Sequence, residues 1–376
     1  MLRKQVKSVQ DILACDIRQD CGSEAIEVKE RQHFLDILRV AATCAVVLLH
    51  TVTGVMDNTD MSLYPMEQKV FFTVRDLVCW CVPIFIMISG YLFLNPNREL
   101  KIRQVLKKYC RRVVLALLLF GVPYAWIELI VIEKGFRMEM LWQGVTGVLH
   151  GETWSHMWYL YLILLLYLFT PAIRWVLKRI PMAAVAILLA ALFGGSSILP
   201  FAGELWGTPQ WALRALPGEW IYLFYYLCGY LFTCRIKLEK RQLSISVCLA
   251  FVLALGMTAS RMLGFSMQMA YNYPFTVLLS LCLFYAGLAW ENCHIADSRP
   301  IKDKSTVHWK RAADLCFAVY LIHPVFLNVF YKYFHLTPLS FYIGASLPTF
   351  FLSTLALSAI AAWILRKIQP LRKHVL

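Results

Sequence analysis

The stretch LDILRVAATCAVVLLH, residues 35–50, is apolar along most of its length yet carries Arg39 and His50. A continuous apolar run is the pattern of a membrane-crossing helix, which needs roughly 20 residues to span about 30 Å of hydrocarbon. An arginine at the centre of such a helix costs about 2.5–3.5 kcal/mol, less near the edge where it can snorkel. Eleven residues at 100° each make three turns and about 20°, so Arg39 and His50 share one face, roughly 16 Å apart along the axis. Arg39 reads either as a snorkelling anchor paired with Asp36 or as a functional cation. His50 reads either as a satisfied core histidine or as a titratable group serving chemistry.

Working outward, the same pattern recurs. The 376 residues are 59% hydrophobic and 16% charged, with a mean hydropathy of +0.59. Soluble domains are nearer a quarter charged, so much of this surface is expected to face lipid. The runs are continuous rather than alternating, which excludes a β-barrel. The expected fold is therefore all-α, a polytopic membrane bundle of about ten helices. The spans are 34–56, 70–94, 112–133, 157–173, 181–200, 217–233, 243–262, 273–290, 312–332 and 341–365. Residues 1–33 are expected to form a polar cytosolic tail without a cleaved signal peptide, and 366–376 a basic cytosolic tail.

Basic residues fix the expected orientation. Alternate connections hold 29 Lys and Arg on one side against 6 on the other. Cytosolic connections are the lysine- and arginine-rich ones, which predicts both termini inside. The net charge of +14 is thus a topology signal and does not argue for nucleic acid. The twelve cysteines are scattered, mostly in apolar runs, with no CxxC pair and no metal-ligand spacing. They read as small hydrophobes.

Several segments carry further signals. In CVPIFIMISGYLFL (81–94), Ser89 and Gly90 make either a packing notch or a close approach to a ligand. The following segment has seven basic residues between Arg98 and Arg112. They either anchor the cytosolic boundary or form a rim for a phosphate-bearing ligand. In MLWQGVTGVLHG, Met138, Leu141, Trp142, Val145, Val148 and Leu149 recur at helical spacing, which predicts a short amphipathic helix on the outer surface. GETWSHMWYLYLILLLYLFTP (151–171) opens a span with His156, Trp158 and Tyr159. DLCFAVYLIHPVFLNVF (314–330) sets His323 before Pro324, with Tyr320 one turn earlier. Arg75–Asp76, Glu128 and Asp314 complete the polar inventory, and such groups in lipid must face a cavity or a partner.

Together these motifs resemble the membrane acyltransferase family 3. The likeness rests on Arg39 and His50 separated by ten residues, VPIFIMISGYLF, GETWSHMWYLYLI and AVYLIHP, in that order over residues 34–365. The family's arginine motif near the third helix spaces two arginines by three, where this chain has KKYCRR, with Lys108, Arg111 and Arg112. The resemblance implies O-acylation, usually O-acetylation, of an extracytoplasmic glycan or lipid-linked saccharide. It implies cytosolic acetyl-CoA as donor substrate and no resident cofactor. Catalytic roles then fall to His50, as general base or acyl carrier, and Arg39. Donor binding falls to Ser89, Lys108, Arg111 and Arg112, and the acceptor cavity to Arg75, His156, Trp158, Tyr320 and His323. The expected location is a bacterial cytoplasmic membrane, with the enzyme acting without an appended secreted domain.

A proton-coupled transporter is the alternative from another class, since intramembrane Arg, His and Asp would serve one equally. Outer-side tryptophans Trp142, Trp154, Trp158 and Trp206 could stack on sugar rings or anchor the interface.

Overall fold

The computed structural model describes residues 32–206, 217–233, 240–263, 270–296 and 304–376. The expected tail over 1–33 falls almost wholly outside the described residues. All regular structure among them is helical. Among the described residues nine helices are long and apolar enough to cross a membrane: α1 (His33–Asn58), α2 (Pro65–Phe93), α3 (Ile102–Ile132), α5 (Ser155–Leu177), α6 (Met182–Leu205), α8 (Lys240–Met262), α9 (Pro274–Cys293), α10 (Val307–Tyr333) and α11 (Ile343–Leu365). A shorter apolar helix, α7 (Trp220–Leu231), stands at the position of the sixth expected span. The remaining two helices are α4 (Glu139–His150) and the terminal α12 (Gln369–His374).

α2, α3 and α10 start five to ten residues before the sequence reading places them. α3 begins at Ile102 rather than 112, because lysine, arginine and glutamine are good helix formers and carry the helix through the basic segment. α2 begins at Pro65 rather than 70, with proline in the first turn where no N–H is required.

α1 lies at the centre. The apolar windows of α1 and α2 are 61% buried within the protein, against 17% for α8, which faces outward. No side chain of α1's own N-terminus caps it. Glu291 of α9 does so instead, accepting from the N–H groups of His33 at 3.2 Å and Phe34 at 2.7 Å. An acceptor placed on orphan N–H groups stabilises a helix start and fixes α1 against α9. At the other end, Ser62 donates to Asp60 from its N–H and hydroxyl, holding that carboxyl below its ordinary range.

α2 and α7 cross at Gly90 and Gly229. A Cβ on Gly90 would sit 2.0 Å from the Tyr226 carbonyl oxygen, and one on Gly229 would sit 2.3 Å from that of Met87. Gly90 is therefore a packing notch.

The expected amphipathic helix is present as α4, with one face against the protein and large apolar side chains on the other. Met140, Gly144, Gly147 and Val148 face the protein, while Met138, Trp142 and Leu149 stay more than 70% exposed. The reason is Trp126, whose ring lies over Gly144 and whose indole N–H donates to the Leu141 carbonyl at 3.1 Å. Gly151 then adopts φ +82, a conformation that ends helices, and the chain turns into α5.

Candidate functional site

Three imidazoles meet where α1, α5 and α10 converge. Ring centroids lie 5.1 Å apart for His50 and His323, 5.6 Å for His156 and His323, and 6.2 Å for His50 and His156. His156 and His323 are buried at 2% and 0% exposure. Local sequence explains each position. The turn at Gly151 and the short 3₁₀ segment Ser155–Met157 start α5 and point His156 inward. Tyr320 donates its hydroxyl to the His156 carbonyl at 2.5 Å, tying α10 to that turn.

The dipeptide His323–Pro324 sets the orientation of the second ring. Proline has no N–H, so the carbonyl four residues earlier, that of Tyr320, loses its helical donor. His323 Nδ1 fills that role, 2.8 Å from the Tyr320 carbonyl and 3.2 Å from that of Val319. Carbonyls only accept, so Nδ1 carries the proton and the neutral ring keeps its lone pair on Nε2. That Nε2 has no hydrogen-bond partner among the described residues. The Leu321 carbonyl, which accepts from the Tyr124 hydroxyl, lies near His156, and the Nε2 of His156 is also unpartnered among the described residues.

Beside the imidazoles a cavity of about 250 Å³ opens toward the end of the bundle where α1 finishes. His50 and His156 line it, with Thr53, Asp57 and Asn58 from α1, Glu128 from α3, Trp154, and Asn328, Tyr331 and Lys332 from α10. Trp154 is held flat against Tyr124, ring centroids 4.2 Å apart.

In the opposite direction a column of hydroxyl side chains leads toward the basic end. Tyr320 and Tyr159 have ring centroids 5.8 Å apart. Tyr159 and Tyr167 both have their hydroxyl groups near Ser89. Tyr167 in turn lies within the electrostatic reach of Arg39 and Arg112. Arg39 itself pairs with Asp36 at 2.9 Å while remaining 27% exposed.

Two arginines at the basic end serve the backbone. Arg174 donates to the carbonyls of Phe93, Asn95 and Arg98, and Arg98 donates to Leu92 O and Tyr109 Oη. They satisfy the carbonyls that α2 leaves unpaired at its end. Arg112 donates to the carbonyls of Val375 at 2.6 Å and Leu376 at 2.9 Å, and Arg111 contacts His374. The C-terminal residues thus occupy Arg112 of KKYCRR and touch one nitrogen of the exposed Arg111. Lys108 is exposed, over the face of Tyr109. Asp314 reaches Arg366, 4.0 Å away.

Of the residues expected at the acceptor cavity only His156 lines it; Tyr320 and His323 pack against His156 without lining it, and Arg75 and Trp158 lie elsewhere. Arg75 donates to Asp76 Oδ1, whose Oδ2 receives Arg261 of α8 at 2.6 Å. Both guanidinium groups lie over Phe72. The result is a buried ionic tie between α2 and α8. Trp158 packs with Tyr222 and Tyr271. Trp142 and Trp206 are 71% and 79% exposed, as interfacial anchors would be. Sequence reasoning missed Glu291, Arg174 and Arg261, whose partners lie 76 to 258 residues away.

Comparison with known proteins gives one match. A family model described as an acyltransferase domain matches residues 32–367. No curated protein and no solved structure matches the chain.

Proposed function

The chain belongs to the membrane acyltransferase family 3, and from that premise we propose that it moves an acetyl group from acetyl-CoA to a hydroxyl of an extracytoplasmic glycan or lipid-linked saccharide. The observation that carries this reading is the meeting of His50, His156 and His323 between a polar cavity on one side and the Ser89–tyrosine column on the other. In it, the basic end faces the cytosol of a bacterial cytoplasmic membrane and receives the donor.

Arg39 is roughly 16 Å from His50 along α1, beyond the reach of one guanidinium to a carbonyl held beside the imidazole. Its role in this reading is to hold the anionic carrier, with Lys108 and Arg111 at the rim, while the acyl arm enters along Tyr167, Ser89 and Tyr159. Arg112 joins them only if residues 375–376 release it. The acceptor hydroxyl comes from the cavity. His50 takes its proton as the oxygen attacks the thioester carbonyl; the carbon–sulfur bond breaks, and the CoA thiolate leaves with that proton. A neutral imidazole, with one ring nitrogen free to accept a proton, suits such a transfer. His156 and His323, their Nε2 atoms unpartnered at the same junction, hold His50 or the hydroxyl in place.

The experiment is a single turnover with radiolabelled acetyl-CoA on purified protein in vesicles, alongside surface-glycan mass spectrometry of a deletion strain. Acyl transfer predicts acceptor-dependent release of CoA and loss of acetyl from the deletion strain's glycan. Label retained by the wild type and absent from His50→Ala assigns the relay through His50; no retained label assigns direct transfer. A protein that leaves acetyl-CoA untouched with every acceptor fraction would overturn the reading.

A further inference from the structure

The cavity beside the imidazoles has a chemical bias that proton transfer does not require. Its formal charges are two carboxylates, Asp57 and Glu128, against the single ammonium of Lys332. No ion pair within 4 Å joins that lysine to either carboxylate among the described residues. Its neutral side chains lean the same way. Thr53 donates its hydroxyl to the Leu49 carbonyl, Asn58 an amide N–H to Gly54, Asn328 an amide N–H to Pro324, and Tyr331 its hydroxyl to Thr51. Backbone carbonyls consume the hydroxyl donors of Thr53 and Tyr331 and one of the two amide N–H groups of each asparagine, while the acceptor oxygens of all four stay available. Independently, the Nε2 of His156, a residue 98% buried, lines the same space without a partner.

An acceptor-rich wall of net negative charge complements a ligand rich in O–H and N–H and opposes one that can only accept. We infer that this cavity takes an uncharged or amine-bearing hydroxylated unit and rejects acidic ones, with Asp57 and Glu128 as the specificity-determining residues. The inference rests on the reading of this cavity as the acceptor side of an acyltransferase. A volume of about 250 Å³ lies just below the range usual for drug-sized ligands, about 300–1,000 Å³. One sugar-sized unit would be engaged at a time. A carboxylate, sulfate or phosphate there would meet the like charges of Asp57 and Glu128 against the one ammonium of Lys332, and a like-charge contact is what excludes a wrong ligand.

The test reads the cavity directly. Thr53→Cys, half-buried on the wall, and Asn58→Cys, exposed at the mouth, are each placed in the full chain. Each is modified with a cationic trimethylammonium-ethyl methanethiosulfonate or its anionic sulfonatoethyl counterpart, and the labelled peptide is followed by mass spectrometry. In each reaction the cysteine thiolate forms a disulfide and a sulfinate leaves. The cation-to-anion rate ratio, referred to a free thiol, cancels differences in thiolate fraction. We expect a ratio of about tenfold or more, collapsing to within about twofold in the Asp57→Asn/Glu128→Gln background. Glucosamine should slow the modification at lower concentration than glucuronate. A ratio near one, a preference for the anion, equal protection by the two sugars, or protection by neither overturns the inference. Because the ratio needs no turnover, a flat ratio in a protein that still consumes acetyl-CoA removes only this inference. A biased ratio in an inert protein removes the acyl-transfer reading instead.

Discussion

His323 Nδ1 lies 2.8 Å from the Tyr320 carbonyl, the acceptor that Pro324 strips of its helical donor. A proline that would ordinarily only weaken the helix here fixes the tautomer of its neighbouring imidazole. Pro324→Ala restores a competing N–H at position 324 and frees His323 to rotate. Turnover should fall roughly ten- to a hundredfold, the range seen when an orienting partner is lost. The melting temperature should hold or rise, since the helix regains a hydrogen bond. Steady-state kinetics together with thermal unfolding in detergent check this.

The Gly90–Gly229 crossing should be intolerant of even one methyl group. Gly90→Ala puts a Cβ 2.0 Å from a backbone oxygen, so α2 and α7 must separate, at about 1–3 kcal/mol or more. Gly256→Ala is the control. Its Cβ would meet nothing within 4 Å among the described residues, and alanine in a helix interior should be neutral or better. Thermal unfolding of the two variants should move in different directions.

Asp76 compensates two guanidinium groups in the bundle. Asp76→Asn leaves both without their shared anion, and breaking a buried pair on one side costs about 3–5 kcal/mol. Asp76→Asn combined with Arg261→Gln should be less damaging than the sum of the singles. A double-mutant cycle on unfolding measures the coupling.

Donor binding at the basic end should depend on salt. Arg39→Gln should raise the KM for acetyl-CoA about tenfold, because its cation lies on the hydroxyl column. Lys108→Gln and Arg111→Gln, at exposed positions, should each raise it only about two- to fivefold. Raising ionic strength should weaken the effect of the latter two first. Titrating KM against salt in each variant checks the order.

How far these features could be read from the sequence follows from where their partners lie. Arg39 and His50 share a helix, and the spacing that puts them on one face is a property of that helix. The His323–Pro324 pair and its tyrosine one turn earlier are likewise local. The apolar runs gave the helices, because lipid forces each to satisfy its own backbone. What could not be read depends on contacts between distant segments. Glu291 is an unremarkable acid in sequence until it is found on the N–H groups of Phe34. Arg261 is one more basic residue at a helix end until Asp76 is found beside it. Arg112 matched a motif, yet its N–H groups are spent on Val375 and Leu376. The protein-facing side of α4 was not legible either, because it is marked by the small residues Gly144 and Gly147, against which Trp126 and the following turn pack.

The account turns on His50 as the group that meets the acceptor hydroxyl, and turnover of acetyl-CoA by purified His50→Gln in vesicles tests this most directly. A kcat lower by about 10²–10⁴-fold, with the KM for acetyl-CoA within twofold of the wild type, is the predicted result. Activity within tenfold of the wild type would contradict it.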